Sequence, residues 1–313
     1  MYYFAGHDKL MEYLKPCGGE HLEVSGWCGG EHFAATLPPS PSCNVPRVPF
    51  AALLLEGATL PTQPTLYTNV SSAAAMSERW HRDSLLHDDE RKNTKVKAGD
   101  PWFLTQELYS GVAHSKVATM SIQEHVRNMR ITPNKVPQYV FTSVENMPNA
   151  TEHFLSDDVQ LPSLLKGTLW TKLTLALGSS GTGMPFHDHD QAWLVLWHGK
   201  KRWFIFDSRN GLKLEKKTSN VDFVKKHYLS KSFQRFWSEG GWECTQEENE
   251  LMFLPTHFIH AVINIGETIA MVGERCPNSE MGTETQRVCE LDWPEDIGRR
   301  MPAQKLRDGG KRV

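Results

Sequence analysis

The 313-residue sequence has little net charge, no long hydrophobic run and no closely spaced pair of cysteines. Its 34 basic and 37 acidic side chains leave a formal charge of −3, and both signs are spread along the chain. Such a mixture creates no broad positive field for nucleic acid or for an anionic membrane surface. No segment has the apolar length that a membrane-spanning helix needs. We therefore expect neither nucleic acid nor a membrane as a partner.

The first residues, MYYFAGHDKLMEYLKP, lack the basic start and the apolar stretch of a secretory signal peptide. The residues alone thus favour the cytoplasm or the nucleus. The six cysteines form no CxxC pair, so we expect buried or free thiols, with a few disulfide bridges as the alternative. No pattern in the sequence indicates the oligomeric state.

The composition changes along the chain and suggests how it is organised. Residues 1–42 are rich in glycine, proline and serine, which predicts an irregular extension with one short helix near residues 8–14. Apolar residues at helical spacing predict helices over 75–92 and 121–129. The last residues, 291–313, form a polar and basic tail.

After Gly167 the pattern changes to short strands rich in β-branched and aromatic residues. In chain order these strands are TLWTKLTLALG, QAWLVLWHG, KRWFIFD, ELMFLP, HAVINIG and TIAMVGER. A helical insertion is predicted at about 219–237. Strands so closely spaced leave no room for crossover helices, so they favour an antiparallel sandwich or barrel. We therefore predict a mainly β fold with flanking helices and a barrel core at about 168–275.

Two histidines and two aspartates stand together in the run HDHD at residues 187–190. Residues two apart on a strand point the same way, so His187 and His189 would share one face. A third imidazole, His260, begins a later apolar strand, and neighbouring antiparallel strands can bring such ends together. Three convergent imidazoles would suit Fe(II) or Zn(II). The alternative is a solvated loop whose histidines have no specific ligand.

Several motifs resemble the JmjC (jumonji C-terminal) family of Fe(II)/2-oxoglutarate oxygenases. The segments GSSGTGMPFHDH, AWLVLWHGKKRWFIF and ECTQEENELMFLPTHFIHAVIN match its pattern in order and spacing, and VPRVPF and YVFTSVEN resemble its leading portion. The likeness covers roughly residues 43–275 and extends to small JmjC-only proteins such as jumonji domain-containing protein 8, which share Pro-Phe-His-x-His. It implies a double-stranded β-helix, the cupin-like jelly roll, in a domain over 43–290.

The resemblance assigns metal ligands residue by residue. His187 matches the first ligand and His260 the last, while the middle position, normally a carboxylate, falls on His189. Three outcomes stay open: three histidines bind the metal, Asp190 or Asp188 takes the middle position, or binding is weakened.

The resemblance also assigns residues to the cosubstrate. Lys201 matches a lysine that pairs with the far carboxylate of 2-oxoglutarate, and Asn264 matches a polar residue that contacts the oxoacid or a ligand. The alternatives are a surface charge at Lys201 and a local backbone bond at Asn264. Met184 and Val272 occupy positions where related domains carry hydroxyl groups, so the second cosubstrate contact is unassigned.

Further aromatic and imidazole side chains lie near these motifs in the sequence. We interpret the aromatic residues of the two middle strands as core rather than as a substrate platform. They are Trp193, Trp197, Trp203 and Phe206. His198 and His257 are interpreted as non-ligands, or at most as groups that contact a ligand from outside.

The resemblance thus implies a dioxygenase that uses Fe(II) and 2-oxoglutarate to hydroxylate a side chain of a protein substrate. Two alternatives remain: a degenerate JmjC domain that serves as a binding or scaffold protein, and a three-histidine metal enzyme that does not use 2-oxoglutarate. Since the resemblance includes an endoplasmic-reticulum protein, the lumen of that compartment is the alternative location.

Overall fold

The computed structural model describes residues 17, 22–23, 25–39, 43–70, 77–104, 113–131, 138–143, 165, 170–187, 189–210 and 240–275. Three predicted features lie outside these ranges: the helix near 8–14, the helical insertion at about 219–237 and the tail at 291–313. The predicted domain limits, 43 and 290, stay predictions.

Ten strands are the largest class of regular structure among the described residues. The short early strands are β1 (Arg47–Pro49), β2 (Thr65–Thr68), β3 (Lys95–Gly99), β4 (Val117–Ser121) and β5 (Tyr139–Ser143). The later strands are β6 (Trp170–Gly178), β7 (Gln191–Asp207), β8 (Trp242–Gln246), β9 (Leu251–Leu254) and β10 (Phe258–Arg275). The sequence pattern did not predict β8 as a separate strand.

The strands pair in the order β1-β2-β9-β7-β10-β6-β5-β3-β4, and β8 pairs with β7 beside this path. Strand β10 runs antiparallel to β7 and also pairs with β6. The first half of β7 pairs with β9, and its second half pairs with β8. The fold is the predicted mainly β double-stranded β-helix, the cupin-like jelly roll.

Both long strands, β7 and β10, bend at a glycine. The backbone is left-handed at Gly199 (φ 76°) and at Gly266 (φ 84°), a conformation that L side chains rarely adopt. The pairing between the two strands shifts register between Ile265 and Ile269. These bends explain why the sequence pattern predicted four short strands where the structure has two long ones.

The helices are short and lie around the sheet. They are α1 (Glu31–Ala35), α2 (Arg82–His87), α3 (Asp89–Asn93) and α4 (Ile122–Ile131), with 3₁₀ turns at Phe50–Leu54 and Ser208–Asn210. Helix α4 confirms the helix predicted over 121–129. The helix predicted over 75–92 is divided within its described part, because Asp88 caps a new helix by accepting hydrogen bonds from two backbone N–H groups of α3. Among the described residues, no helix has the length and apolar character to cross a membrane.

The aromatic side chains of the two middle strands are buried, as predicted, but they belong to three separate apolar clusters, and two of them also line the pocket described below. Trp193, Trp197, Trp203 and Phe206 are each at most 3% exposed. Trp197 stacks on Trp80 with the ring centroids 5.0 Å apart. Burial of such large apolar surfaces is the main favourable term in folding.

The described part of residues 1–42 packs closely against the barrel. A side chain at Gly30 would approach the backbone nitrogen of Gly266 to 2.1 Å, so only a glycine fits there. Leu37 packs in a buried cluster with Phe186 and Phe204. This segment therefore supports the strand and the turn on which the candidate site lies.

Four cysteines form two disulfide bridges, Cys17–Cys28 and Cys43–Cys244. The expectation of free thiols is thus wrong for these four residues, and the alternative of a few bridges is correct. The second bridge joins positions 201 residues apart, a pairing that spacing alone does not reveal. Cys276 and Cys289 lie outside the described residues.

Candidate metal centre and its buried lysine

A glycine-containing turn carries the first candidate ligand along the edge of β10. Asn264 donates its backbone N–H to the Thr182 carbonyl (2.8 Å), and Val262 donates to the Met184 carbonyl (3.0 Å). Gly183 has φ 126°, and a Cβ there would lie 2.2 Å from the Val262 carbonyl oxygen. The turn can approach β10 this closely because that position has no side chain.

The turn ends in a bridge between two histidines. His187 donates its backbone N–H to the His260 carbonyl at 3.1 Å, and His260 donates to the His187 carbonyl at 2.9 Å. Their ring centroids are 4.2 Å apart, and the ring of His189 lies 5.3 Å from that of His187 and 4.7 Å from that of His260. One ligand atom from each residue lies within 4.8 Å of the other two. We call these three residues the histidine trio.

His189 reaches the trio from irregular backbone rather than from a strand, since β7 begins only at Gln191. The premise that alternation on a strand aligns His187 with His189 is therefore wrong, although the two rings do converge. The interpretation of the HDHD run as a solvated loop does not fit His187, which is 6% exposed.

A backbone carbonyl oxygen accepts a hydrogen bond from the Nδ1 atom of each ring in the trio. These oxygens belong to Pro185 (2.7 Å), Asp190 (2.6 Å) and Phe258 (3.0 Å). Since a carbonyl oxygen only accepts, Nδ1 must carry a proton, and the lone pair of a neutral ring is then on Nε2. Neutral imidazoles oriented in this way are typical of metal ligands.

The surroundings of His260 favour its uncharged form. Burial, followed by the nearby rings of His187 and His189, holds the pKa of His260 well below its usual range. Within the described ranges, no carboxylate belongs to the group. Asp190 contributes its backbone oxygen to His189, and its side chain is not among the ligand atoms. Asp188, the other alternative for the middle position, lies outside the described residues.

The trio lines a pocket whose walls are mostly apolar. The other lining residues are Tyr139, Phe141, Met184, Ala192, Trp193, Leu194, Lys201, Trp203, Met252, Leu254, Val262 and Val272. Met184 and Val272, which replace the expected hydroxyl residues, thus present apolar side chains to the pocket. Such walls limit the access of water and strengthen electrostatic interactions inside.

Lys201 is the cationic side chain of this pocket, and it is fully buried. Its Nζ donates to the Asn264 Oδ1 at 2.6 Å and to the Thr268 Oγ1 at 3.5 Å. No acidic side chain among the described residues forms an ion pair with it. Burial consequently lowers the pKa of Lys201 to about 7. The interpretation of Lys201 as a surface charge is therefore wrong.

The side chain of Asn264 connects Lys201 to the turn that carries His187. Its Oδ1 accepts from Lys201, and its Nδ2 donates to the Thr182 Oγ1 at 2.8 Å. The alternative of a local backbone bond at Asn264 is therefore wrong. The amide contacts the lysine, and Asn264 is not itself among the pocket-lining residues.

The sequence analysis missed Tyr139, Thr182 and Thr268 as site residues. Tyr139 lines the pocket, and its ring centroid lies 5.6 Å from the Nζ of Lys201. Burial raises the pKa of the Tyr139 phenol, so the hydroxyl keeps its proton. The segment YVFTSVEN was recognised from its resemblance, but only the pairing of β5 with β6 shows which of its side chains reaches the pocket.

Two further histidines lie close to the trio in the sequence but not in its cluster. His198 is buried, and its Nε2 lies 2.9 Å from the Ser77 carbonyl oxygen. His257 lies in the turn between β9 and β10 with φ 74°. Neither belongs to the group of convergent ligand atoms.

Comparison with known proteins supports the same conclusion as the motifs. Residues 174–273 match the family described as "JmjC domain, hydroxylase". This segment includes β7, most of β6 and β10, the histidine trio and Lys201. The recognition of a JmjC domain from its motifs is thus confirmed.

The similar curated proteins are distant in sequence. JmjC domain-containing protein 8 from Mus musculus is 23% identical over 96 residues, which cover 31% of this chain and 34% of the relative. The Homo sapiens protein of that name is 22% identical over 98 residues, covering 31% and 35%. Arginine-specific demethylase JMJ22 from Arabidopsis thaliana is 22% identical over 244 residues, covering 71% and 43%. The chain therefore spans less than half the length of each of these relatives.

Proposed function

We propose that this chain, which carries a JmjC domain, is an Fe(II)- and 2-oxoglutarate-dependent oxygenase that hydroxylates a side chain of a protein substrate. One observation carries the proposal: a buried lysine without an acidic partner among the described residues shares an apolar pocket with three convergent imidazoles. A ligand that places a carboxylate at the lysine and chelates a metal held by the imidazoles would engage both parts of the pocket.

The histidine trio would hold the metal. Its Nδ1 atoms are engaged with backbone carbonyl oxygens, so each ring presents Nε2 as the donor. Imidazole donors suit Fe(II) and also Zn(II). Bound at these nitrogens, ferrous iron would supply the oxidising chemistry with O₂ and the oxoacid.

Lys201 would bind the far carboxylate of the oxoacid. Among the described residues, the desolvated ammonium donates to two neutral oxygens, those of Asn264 and Thr268. A carboxylate would replace part of the lost hydration by a charge-assisted hydrogen bond. The neighbouring hydroxyl of Tyr139, held protonated by burial, is the candidate for the second, previously unassigned contact.

The replacement of the usual carboxylate by His189 changes the charge of the site but not its capacity to chelate. Three imidazole ligands leave a divalent metal with its full charge, of which the near carboxylate of 2-oxoglutarate would offset one unit. The far carboxylate also meets Lys201, so binding would not bury an uncompensated anion. His189 is therefore compatible with an oxoacid cosubstrate.

A side chain of a protein is the proposed substrate class. The name of the Arabidopsis relative states an activity specific for arginine, which supports an amino acid side chain as the target. Among the described residues, the lining of the pocket includes no acidic side chain that would bind a basic small molecule.

The absence of a carboxylate from the trio is the observation behind two alternative functions. One is a three-histidine metal enzyme without an oxoacid, in which Lys201 has a structural role. The other is a degenerate domain that keeps the barrel as a binding or scaffold protein. The two differ in whether the protein binds a metal ion stoichiometrically.

The test is the formation of succinate from 2-oxoglutarate by the full chain with Fe(II) and O₂. We expect the wild-type protein to form succinate, and His187→Gln to lose this activity by at least tenfold. His257→Asn is the matched control, since this histidine lies outside the trio and asparagine tolerates its positive φ. Bound metal without succinate would support the three-histidine enzyme, and neither metal nor succinate would support the binding protein.

A further inference from the structure

A directional chain of hydrogen bonds runs from the buried lysine into the turn that carries His187. Lys201 donates to the Asn264 Oδ1 at 2.6 Å, and the Asn264 Nδ2 donates to the Thr182 Oγ1 at 2.8 Å. The Thr182 hydroxyl donates in turn to the Ser179 carbonyl oxygen at 2.6 Å. In each of the three bonds the donor is the group nearer to Lys201. The last acceptor is the Ser179 carbonyl oxygen, which cannot donate.

This direction fixes the orientation of the Asn264 amide. The Ser179 carbonyl takes the hydroxyl hydrogen of Thr182, so a lone pair of that hydroxyl faces the Asn264 NH₂ group. The amide oxygen must then face the ammonium. If the amide were rotated by half a turn, its NH₂ group would face Lys201, and two donors would oppose each other.

The chain of hydrogen bonds is buried, and a glycine leaves the space in which two of its groups meet. Thr182, Asn264 and Lys201 are at most 1% exposed, so water cannot substitute for a missing partner. At Gly178, the last residue of β6, a Cβ would lie 2.4 Å from the Thr182 Oγ1 and 3.3 Å from the Asn264 Nδ2. The same Cβ would lie 2.6 Å from the ring of Tyr139. Gly178 thus provides the space in which the hydroxyl of Thr182 and the amide of Asn264 meet.

We propose that Thr182 is a positioning residue for oxoacid binding, which acts through Asn264 to hold the Lys201 ammonium toward the pocket, and that Gly178 provides the space for this contact. This inference rests on the proposed function, because it assigns the oxoacid to Lys201. Thr182 is not among the residues that line the pocket. In the described structure its hydroxyl bonds to Asn264 and Ser179 and not to a ring of the trio. Its effect is therefore on oxoacid affinity and not on metal affinity.

The test compares an isosteric variant with a conservative one. Thr182→Val keeps the shape of the side chain but removes the hydroxyl, whereas Thr182→Ser keeps the hydroxyl. Equilibrium dialysis of 2-oxoglutarate against the anaerobic Fe(II)-loaded full chain gives the Kd of the oxoacid, and dialysis of Fe(II) alone gives the Kd of the metal. We expect Thr182→Val to weaken oxoacid binding about tenfold, because the Asn264 amide then loses the hydrogen bond that orients it toward Lys201, and Thr182→Ser to restore it.

Gly178→Ala gives a second arm, in which the added Cβ crowds both the Thr182 hydroxyl and the Tyr139 ring, so the expected loss of oxoacid affinity is at least as large as that of Thr182→Val. In all three variants the Kd of Fe(II) should stay within about twofold of wild type, a result that general unfolding would not give. Equal oxoacid affinity in Thr182→Val and wild type would overturn the inference. No oxoacid binding by the wild-type protein would instead overturn the proposed function.

Discussion

His187 and His260 face each other across an isolated antiparallel bridge in which each backbone N–H donates to the carbonyl of the other residue. The bridge holds the backbone of both residues by hydrogen bonds of 3.1 and 2.9 Å, and each ring is oriented by a further bond from its Nδ1 to a backbone carbonyl. The ring of His189 has the equivalent bond to the Asp190 carbonyl, but among the described residues its backbone has no such bridge. The middle ligand is therefore the least constrained part of the trio, and its substitution is the most informative.

His189→Asp should increase the affinity for Fe(II). A carboxylate adds a negative charge beside a divalent ion, whereas the imidazole adds none. We expect the Kd of Fe(II), measured by anaerobic dialysis, to fall by about tenfold, which corresponds to about 1.4 kcal/mol. His257→Asp, which places the same charge outside the trio, should leave that Kd unchanged. Weaker Fe(II) binding by His189→Asp would show that the site is built for three imidazoles.

Lys201→Met should remove the charge that binds the oxoacid while it keeps an apolar side chain of similar length. A hydrogen bond to a charged group contributes about 1.5–3 kcal/mol, so the Kd of 2-oxoglutarate should rise by about tenfold to a hundredfold. The adjacent Lys200, half-exposed and paired with Glu247, supplies the matched control Lys200→Met. Equal effects of the two variants would contradict the assignment of Lys201.

The affinity for 2-oxoglutarate should fall as pH rises above about 7. Burial lowers the pKa of Lys201 to about 7, so above this pH the ligand-free protein holds a neutral amine. Binding of a carboxylate then requires uptake of a proton, and the affinity should fall by up to tenfold per pH unit. Titrations between pH 7 and 9 with saturating metal would measure the slope. Lys201→Arg, which stays charged, should have a flat profile, and a steep profile in that variant would contradict this account.

His125 should make the fold sensitive to acid independently of the metal site. It is fully buried in helix α4, and burial lowers its pKa to about 4. Because the unfolded chain takes up the proton first, the free energy of unfolding should decrease as pH falls from about 6.5 to about 4, by up to about 1.4 kcal/mol per pH unit. Urea titrations of His125→Leu should show a smaller decrease than wild type. The exposed His87→Leu is the control, and an identical slope in all three proteins would exclude His125 as the cause.

The strands after Gly167 and the clustering of His187 with His260 could be predicted from the sequence, because both depend on local alternation and on motifs of fixed spacing. The bends at Gly199 and Gly266 could not, since a glycine between apolar runs equally indicates a turn between two strands. Thr182 and Tyr139 were missed for a related reason. Their proximity to Lys201 follows from register between distant segments, which the sequence does not specify.

The sequence also could not show which of three neighbouring basic residues faces the pocket. Three consecutive residues, Lys200, Lys201 and Arg202, are basic, and the sequence does not distinguish them. In the fold Lys200 pairs with Glu247, Arg202 is buried against Glu243, and Lys201 faces the apolar pocket. Alternation on β7 separates the three side chains, but the position of each acidic partner comes from β8 and the turn that follows it.

The most direct measurement is anaerobic. The full chain is loaded with Fe(II), 2-oxoglutarate is added, and the visible absorption is recorded for the metal-to-ligand charge-transfer band of an oxoacid chelated to iron. We predict a band that saturates at one oxoacid per chain, is absent in His187→Ala and needs a higher oxoacid concentration in Lys201→Met. A folded wild-type protein that binds Fe(II) but gives no band at saturating 2-oxoglutarate would contradict the central claim that the histidine trio and Lys201 form one oxoacid-binding site.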